Sequence, residues 1–146
     1  EAEYDVPFQG HTAILGPLAG AAAEAVPRSW DVTAVVPVPL HRGRWRQRGY
    51  NQAEIIAATL ARRLALPLHP AWLSRTRSTR PQVGLNMAER AANLTHAFTA
   101  GPLPSSTRVL LVDDVTTTGA TLEACARTLL AAGADAVFGI AIARED

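Results

Sequence analysis

Residues 109–121 read VLLVDDVTTTGAT. Four apolar residues run straight into two adjacent aspartates, then three threonines, a glycine and another threonine. A short, continuously apolar run is what a parallel strand covered on both faces requires. Two carboxylates at the end of such a strand are costly unless something answers them, so they raise the question of what they hold. In open α/β sheets ligands bind beyond the carboxyl ends of the strands.

The segment after the acids has its own logic. A helical pattern starts at about Gly119 and runs through residues 119–132 (ATLEACARTLL at its centre) to Gly133. Residues 116–121 (TTTGAT) therefore sit at a helix N-terminus. Free backbone N–H groups and the helix dipole favour an anion there. Thr116, Thr117, Thr118 and Thr121 add hydroxyl donors; Gly119 and Ala120 leave room for close approach. Asp113 and Asp114 would repel a phosphate, so they address another part of the same ligand. Carboxylates accept from vicinal hydroxyls or hold Mg²⁺. A ribose carrying a phosphate and free hydroxyls satisfies both halves.

The rest of the chain alternates in the same way. Residues 32–39 (VTAVVPVP) predict a buried strand, and 51–65 (NQAEIIAATLARRLA) a helix with Asn51 as N-cap. Residues 66–75 are weakly strand-like, 86–93 suit a short helix begun by Asn86 with Glu89 three residues on, and 94–98 (LTHAF) a short strand. Residues 135–143 (DAVFGIAIA) predict a final buried strand. Residues 11–26 are small and apolar, and predict a helix that Pro17 restricts or interrupts. Loops are expected at 41–49 (HRGRWRQRG), 75–84 (RTRSTRPQVG) and 101–107 (GPLPSST). Together these predict an α/β fold: a mostly parallel central sheet with helices on both faces.

Charge is uneven along the chain. Residues 28–90 hold eleven arginines against Asp31, Glu54 and Glu89, a net of +8; the remaining segments hold three arginines against ten acids, a net of −7. The basic middle suits an anionic partner. All fourteen basic residues are arginine. The absence of lysine argues against a P-loop nucleotide site and a receiver domain. One cysteine, Cys125, makes no internal disulfide and no Cys-rich zinc site, and is expected to be a small buried apolar group. His11, His69 and His96 have no ligand spacing. No apolar run reaches the roughly 18 residues of a membrane helix, and no signal peptide is visible, so membrane insertion is not expected and a cytoplasmic location is.

VLLVDDVTTTGAT resembles, position for position, the phosphoribosyl-pyrophosphate (PRPP) motif of type I phosphoribosyltransferases. The segments PVPLHRGRWRQRGYNQAE (37–54) and RTRSTRPQVGLNMAERAANLTHAF (75–98) are similar to the ComF family, the competence-protein F or GntX-like group. The resemblance spans about residues 30–143. The pyrophosphate-loop region also resembles glutamine amidophosphoribosyltransferase, whose glutaminase half has no counterpart here.

The resemblance implies a type I phosphoribosyltransferase fold, with residues 31–146 as its core and 1–30 as a hood-like segment. It implies that Asp113 and Asp114 contact ribose hydroxyls, and that residues 116–121 wrap the 5′-phosphate. Val38, Pro39, Leu40, His41 and Arg42 would form the pyrophosphate loop, and Arg77, Arg80 and Gln82 would belong to a flexible loop over the substrate. Arg48, Tyr50, Asn51 and Arg90 also fit the family pattern. Mg²⁺ is expected with PRPP, with no direct protein ligand. The family's role implies DNA uptake, natural transformation and recombination, with partners from those processes. Two features depart from the family: its N-terminal four-cysteine zinc module is absent from this chain, and its lysine–aromatic–x–glycine stretch is replaced by Pro7-Phe8-Gln9-Gly10.

Two other functions fit the residues. A PRPP- or nucleotide-sensing module would bind the ligand without transferring anything. A single-stranded DNA-binding surface would use Arg42, Arg44, Arg46 and Arg48 for phosphates, with Trp45 and Tyr50 stacking on bases.

Overall fold

The architecture is that of a computed structural model, which describes residues 10–12, 19–40, 51–76, 97–116 and 118–144. Strand β5 (Arg108–Thr116) is its spine. On one side it pairs in parallel with β6 (Ala136–Arg144), and on the other with β2 (Ala34–Pro37). Strand β1 (Gly10–Thr12) adds to the free edge of β6, so the sheet order is β1-β6-β5-β2, parallel throughout. A single parallel bridge, Val35 to Leu68, extends the sheet beyond β2.

The helices are α1 (Ala19–Ala25), α2 (Gln52–Leu64) and α3 (Ala120–Ala131). Alternation along the strands distributes the core between two faces. Val35, Leu110, Val112, Phe138 and Ile140 pack with Ala22, Ala57 and Leu60 of α1 and α2. Val36, Val109, Leu111, Val137 and Ala141 pack with Leu122, Cys125 and Leu129 of α3. Both faces are thus covered, which is why these strands are apolar without alternation in sequence. A second, two-stranded antiparallel sheet, β3 (Leu73–Arg75) with β4 (Phe98–Ala100), lies on the α3 side: Leu73 and Phe98 join the α3 core.

Helix α2 shows why its sequence is helical. Ala53, Ala57, Leu60 and Ala61 recur at helical spacing and are its buried residues. Glu54 lies in the first turn and Arg62 and Arg63 in the last, each complementing the helix dipole. The helix stops at Ala65 in a left-handed conformation, φ 55°.

Three expectations need correction. Residues 10–12 form a strand rather than the start of a helix, and helix α1 begins only at Ala19. Pairing with β6 decides this, a contact to a segment more than a hundred residues away. The strand expected at 94–98 is seen from Phe98 to Ala100, where β3 is available to pair. Strand β5 does not end at the aspartates; it runs on to Thr116 because β6 continues beside it, Val115 opposite Ala143 and Thr116 opposite Arg144. The helix expected at 86–93 lies outside the described residues.

Candidate active site

The acidic pair stands where the sheet changes width. The β2–β5 ladder closes at Pro37 opposite Val112, with one further bond from the Val38 N–H to the Val112 carbonyl at 2.8 Å. Asp113 is the next residue. Past this point β5 keeps β6 as a neighbour, while β2 gives way to Val38, Pro39 and Leu40. The first residue of the expected pyrophosphate loop, Val38, is therefore bonded to the residue directly ahead of the acidic pair.

Adjacent residues of a strand point to opposite faces. Asp113 continues the row of Val109 and Leu111, on the α3 side; Asp114 continues the row of Leu110 and Val112, on the α2 side. Their environments differ accordingly. Asp113 is buried at 9% exposure, and Asp114 is half-buried. The Asp114 backbone N–H donates to Asp113 Oδ1 at 2.8 Å. Burial first, and the neighbouring Asp114 carboxyl second, push the Asp113 carboxyl up to about 7, with the Asp114 N–H and the Arg75 guanidinium acting in the opposite direction.

Arg75 ends the stretch 66–75 that reads as weakly strand-like and opens the expected loop 75–84, and the sequence assigns it no role in the site. It closes β3, and its guanidinium lies 4.7 Å from the Phe98 ring centroid. It is the cation that acts on both Asp113 and Cys125. The signal for it was diluted, because Arg75 opens a run of arginines, RTRSTR, with nothing local to single it out. Cys125 is fully buried, and burial and the Asp113 charge raise its pKa, so it stays a protonated apolar group as expected.

Behind the acids, Gly119 caps α3 with φ 83°. That left-handed conformation is why glycine stands here. Among the described residues, a Cβ at this position would meet no atom within 4 Å beyond its own chain neighbours. Thr118 Oγ1 accepts from the Ala120 N–H at 3.2 Å, and Glu123 N–H donates to the Gly119 carbonyl at 2.9 Å. Thr116 and Thr121 are half-buried and Thr118 is exposed around the same turn. The arrangement provides dipole, N–H groups and hydroxyls for an anion.

At the other side of the site, Asn51 joins two elements. Its Oδ1 accepts from the Ala53 N–H at 3.0 Å, capping α2, and its Nδ2 donates to the Val38 carbonyl at 3.3 Å. A cleft of about 390 Å³ opens here, with Pro39, Leu40, Asn51 and Glu54 among its walls. His41, Arg42, Arg44, Trp45, Arg46, Arg48, Tyr50, Arg77, Arg80, Gln82, Arg90 and Thr117 lie outside the described residues. Among the described residues, no group of three His, Cys, Asp or Glu side chains could hold a metal ion, and no helix is long and apolar enough to cross a membrane.

An acidic pair at the carboxyl edge of a parallel sheet, followed by a glycine-capped helix start, has a counterpart in known proteins. The phosphoribosyl transferase domain family matches residues 50–144. This chain belongs to that family. Its relatives identify the branch. The chain is 38% identical over 113 residues to Competence protein F of Haemophilus influenzae, covering 74% of this chain and 49% of that protein. It is 37% identical over 103 residues to DNA utilization protein YhgH of Escherichia coli, covering 70% and 45%. Against Competence protein ComFC of Bacillus subtilis it is 33% identical over 99 residues, covering 68% and 39%. These similarities support the ComF group within the type I phosphoribosyltransferase superfamily. The chain spans about half the length of the curated relatives it matches or less. The family fold, an α/β sheet flanked by helices, agrees with the architecture described above.

Proposed function

We propose that this protein binds PRPP together with Mg²⁺, supports phosphoribosyl transfer to an acceptor, and serves DNA uptake and use. The observation that carries the reading is the placement of Asp113 and Asp114, directly past the end of the β2 ladder and a short turn ahead of the Gly119-capped helix. Its DNA role rests on the relatives' names, Competence protein F and DNA utilization protein.

In this reading the two carboxylates accept from the ribose hydroxyls. The N–H groups at the start of α3, with the hydroxyls of Thr116, Thr118 and Thr121, hold the 5′-phosphate. The turn Val38–Leu40 and the arginines that follow it in sequence receive the pyrophosphate. In the transfer step the ribose C1–oxygen bond to pyrophosphate breaks and the leaving group takes the electron pair. A bond from C1 to the acceptor nucleophile forms, and the acceptor releases its proton. The chain's contribution is positioning and charge stabilisation, with no covalent nucleophile required.

The site fits a cation arriving with the ligand. Asp113 is a buried carboxyl held up near 7 beside a second carboxyl, and Arg75 only partly offsets that, so added positive charge would favour its ionised form. Asp113 and Asp114 would hold Mg²⁺ indirectly, through the ribose hydroxyls they bind. When bound, Mg²⁺ supplies neutralisation of the charge that develops on the departing pyrophosphate.

The test is calorimetric titration with PRPP, with and without Mg²⁺, on the wild type and the Asp113→Asn/Asp114→Asn double variant. Binding that requires Mg²⁺ and disappears in the folded double variant is expected. Absence of binding by the folded wild type overturns the proposal.

A further inference from the structure

The small sheet of β3 and β4 alternates strictly. Ser74 and Thr99, opposite each other in register, are exposed. Leu73, Phe98 and Ala100 turn inward, to the core that holds Val109, Leu111, Leu122 and Cys125. Arg75 stands two residues after Leu73 and pairs in register with Phe98, so it belongs to the inward row. A guanidinium is costly at such a position unless a counter-charge answers it. The central sheet has the complementary feature on the same core. Asp113 follows Val109 and Leu111 in the row that faces α3, and it is buried. Two opposite charges thus stand at core-facing positions of two different sheets, over one shared apolar layer.

Arg75 is also confined. Its guanidinium lies 4.7 Å from the centroid of the Phe98 ring, which is itself buried. Its Nε is shielded from solvent. The ladder continues past it, from the Thr76 N–H to the Ala97 carbonyl at 2.6 Å. A planar fork stacked on an aromatic face is a fixed charge, not a waving one. Cys125 on α3 feels both Asp113 and Arg75, in opposite directions, as a group near both charges must.

From this juxtaposition we infer that Arg75, held on the Phe98 ring, is a positioning residue for Asp113: it is the fixed counter-charge that sustains a carboxylate at a buried position, ready to accept from a ligand hydroxyl. The small second sheet then serves the site as well as packing on α3. The inference rests on the proposed function for what Asp113 accepts from; the pairing of the two charges does not.

Arg75→Met keeps an apolar stem and removes the charge, and Arg75→Lys returns a cation. Arg75→Met is also combined with Asp113→Asn. Two measurements on the full chain decide. The first is calorimetric titration with ribose 5-phosphate. Arg75→Met is expected to bind roughly five- to tenfold more weakly than wild type, and Arg75→Lys to recover to within about twofold. In the Asp113→Asn background, Arg75→Met is expected to change affinity by less than about twofold, since residues that act through one another are not additive. Equal losses in the two backgrounds overturn the inference, because Arg75 then acts on the ligand or on the fold at large. Wild-type binding by Arg75→Met, or Arg75→Lys as weak as Arg75→Met, overturns it too.

The second measurement needs no ligand. Urea midpoints are compared at about pH 8, where Asp113 is ionised. Arg75→Met is expected to lower the midpoint in the wild-type background and not in the Asp113→Asn background. The same drop in both would mean that the two charges are not paired. If wild type binds no ribose 5-phosphate, the proposed function fails, and the midpoints alone decide whether Arg75 answers Asp113.

Discussion

The backbone N–H of Asp114 donates to Oδ1 of Asp113 at 2.8 Å, so each acid of the pair is structurally bound to the other. The bond stabilises the ionised form of Asp113, yet burial and the second carboxyl outweigh it, and the group is pushed up to about 7 from 3.8.

That balance has a consequence for stability. The folded state holds the Asp113 proton up to about pH 7, while the unfolded chain releases it near 3.8. The native state therefore has the full contribution of this site below about pH 4 and loses it as the pH rises through 7, with a ceiling of about 4 kcal/mol for a shift of this size. Asp113→Asn cannot titrate, and still offers an oxygen to the Asp114 N–H. Urea denaturation should find Asp113→Asn more stable than wild type by about 1–4 kcal/mol at pH 8, with the gap closing toward pH 4. A gap independent of pH would rule out this account.

The same group links pH to ligand affinity. Accepting from a ribose hydroxyl is best done by the carboxylate, so PRPP affinity should rise with pH until about 7, where Asp113 becomes ionised. Arg75 lowers the Asp113 pKa, so Arg75→Met should move the inflection to higher pH. Calorimetric affinities for the two proteins across pH 5.5–8.5, a range chosen to bracket normal His and raised carboxyl titrations, measure the difference; the ligand's own titration is common to both. Coincident profiles would show that Arg75 does not act on Asp113.

Gly119 separates fold from binding. Its φ of 83° makes Gly119→Ala strained, at about 1–2 kcal/mol. Among the described residues no atom beyond the chain neighbours opposes the added methyl group, so a loss of a few degrees in Tm is the expected effect on stability. The methyl group enters the space assigned to the 5′-phosphate, so ribose 5-phosphate affinity should fall about tenfold or more. Unchanged affinity would place the phosphate elsewhere.

Leu60 on α2 and Leu129 on α3 are both fully buried, on opposite faces of the sheet. Truncation of either to alanine should cost about 2–5 kcal/mol. The two losses should add within about 0.5 kcal/mol, since the residues share no partner. Urea unfolding of the two single variants and the double variant measures the coupling. A large coupling energy would mean that the two layers are not independent.

Much of this was legible in the residues because it is local. Helices α2 and α3 show in their apolar spacing, and the caps Asn51 and Gly119 stand at their starts. The strand β5 shows as an unbroken apolar run leading into the acids. Strand β1 was not legible: Gly10-His11-Thr12 has no strand pattern, and only the exposed edge of β6 makes it one. The extension of β5 to Thr116 was hidden for the same reason. Asn51 could be named a cap from its position, but its bond to Val38 reaches thirteen residues back to the end of another element.

Sequence alone determined that two acids would emerge from a parallel sheet just ahead of a glycine-started helix, because apolar continuity, turn residues and helical period are all properties of neighbouring residues. It could not distinguish Asp113 from Asp114, which are identical in type and adjacent. Tertiary structure made that distinction: the strand turns one carboxyl toward α3 and β3, where it is buried near Arg75, and the other toward α2, where it stays half-buried. The physical reason is that desolvation and charge coupling belong to what surrounds a side chain in space, and here those surroundings include Arg75 from a distant strand as well as the motif itself.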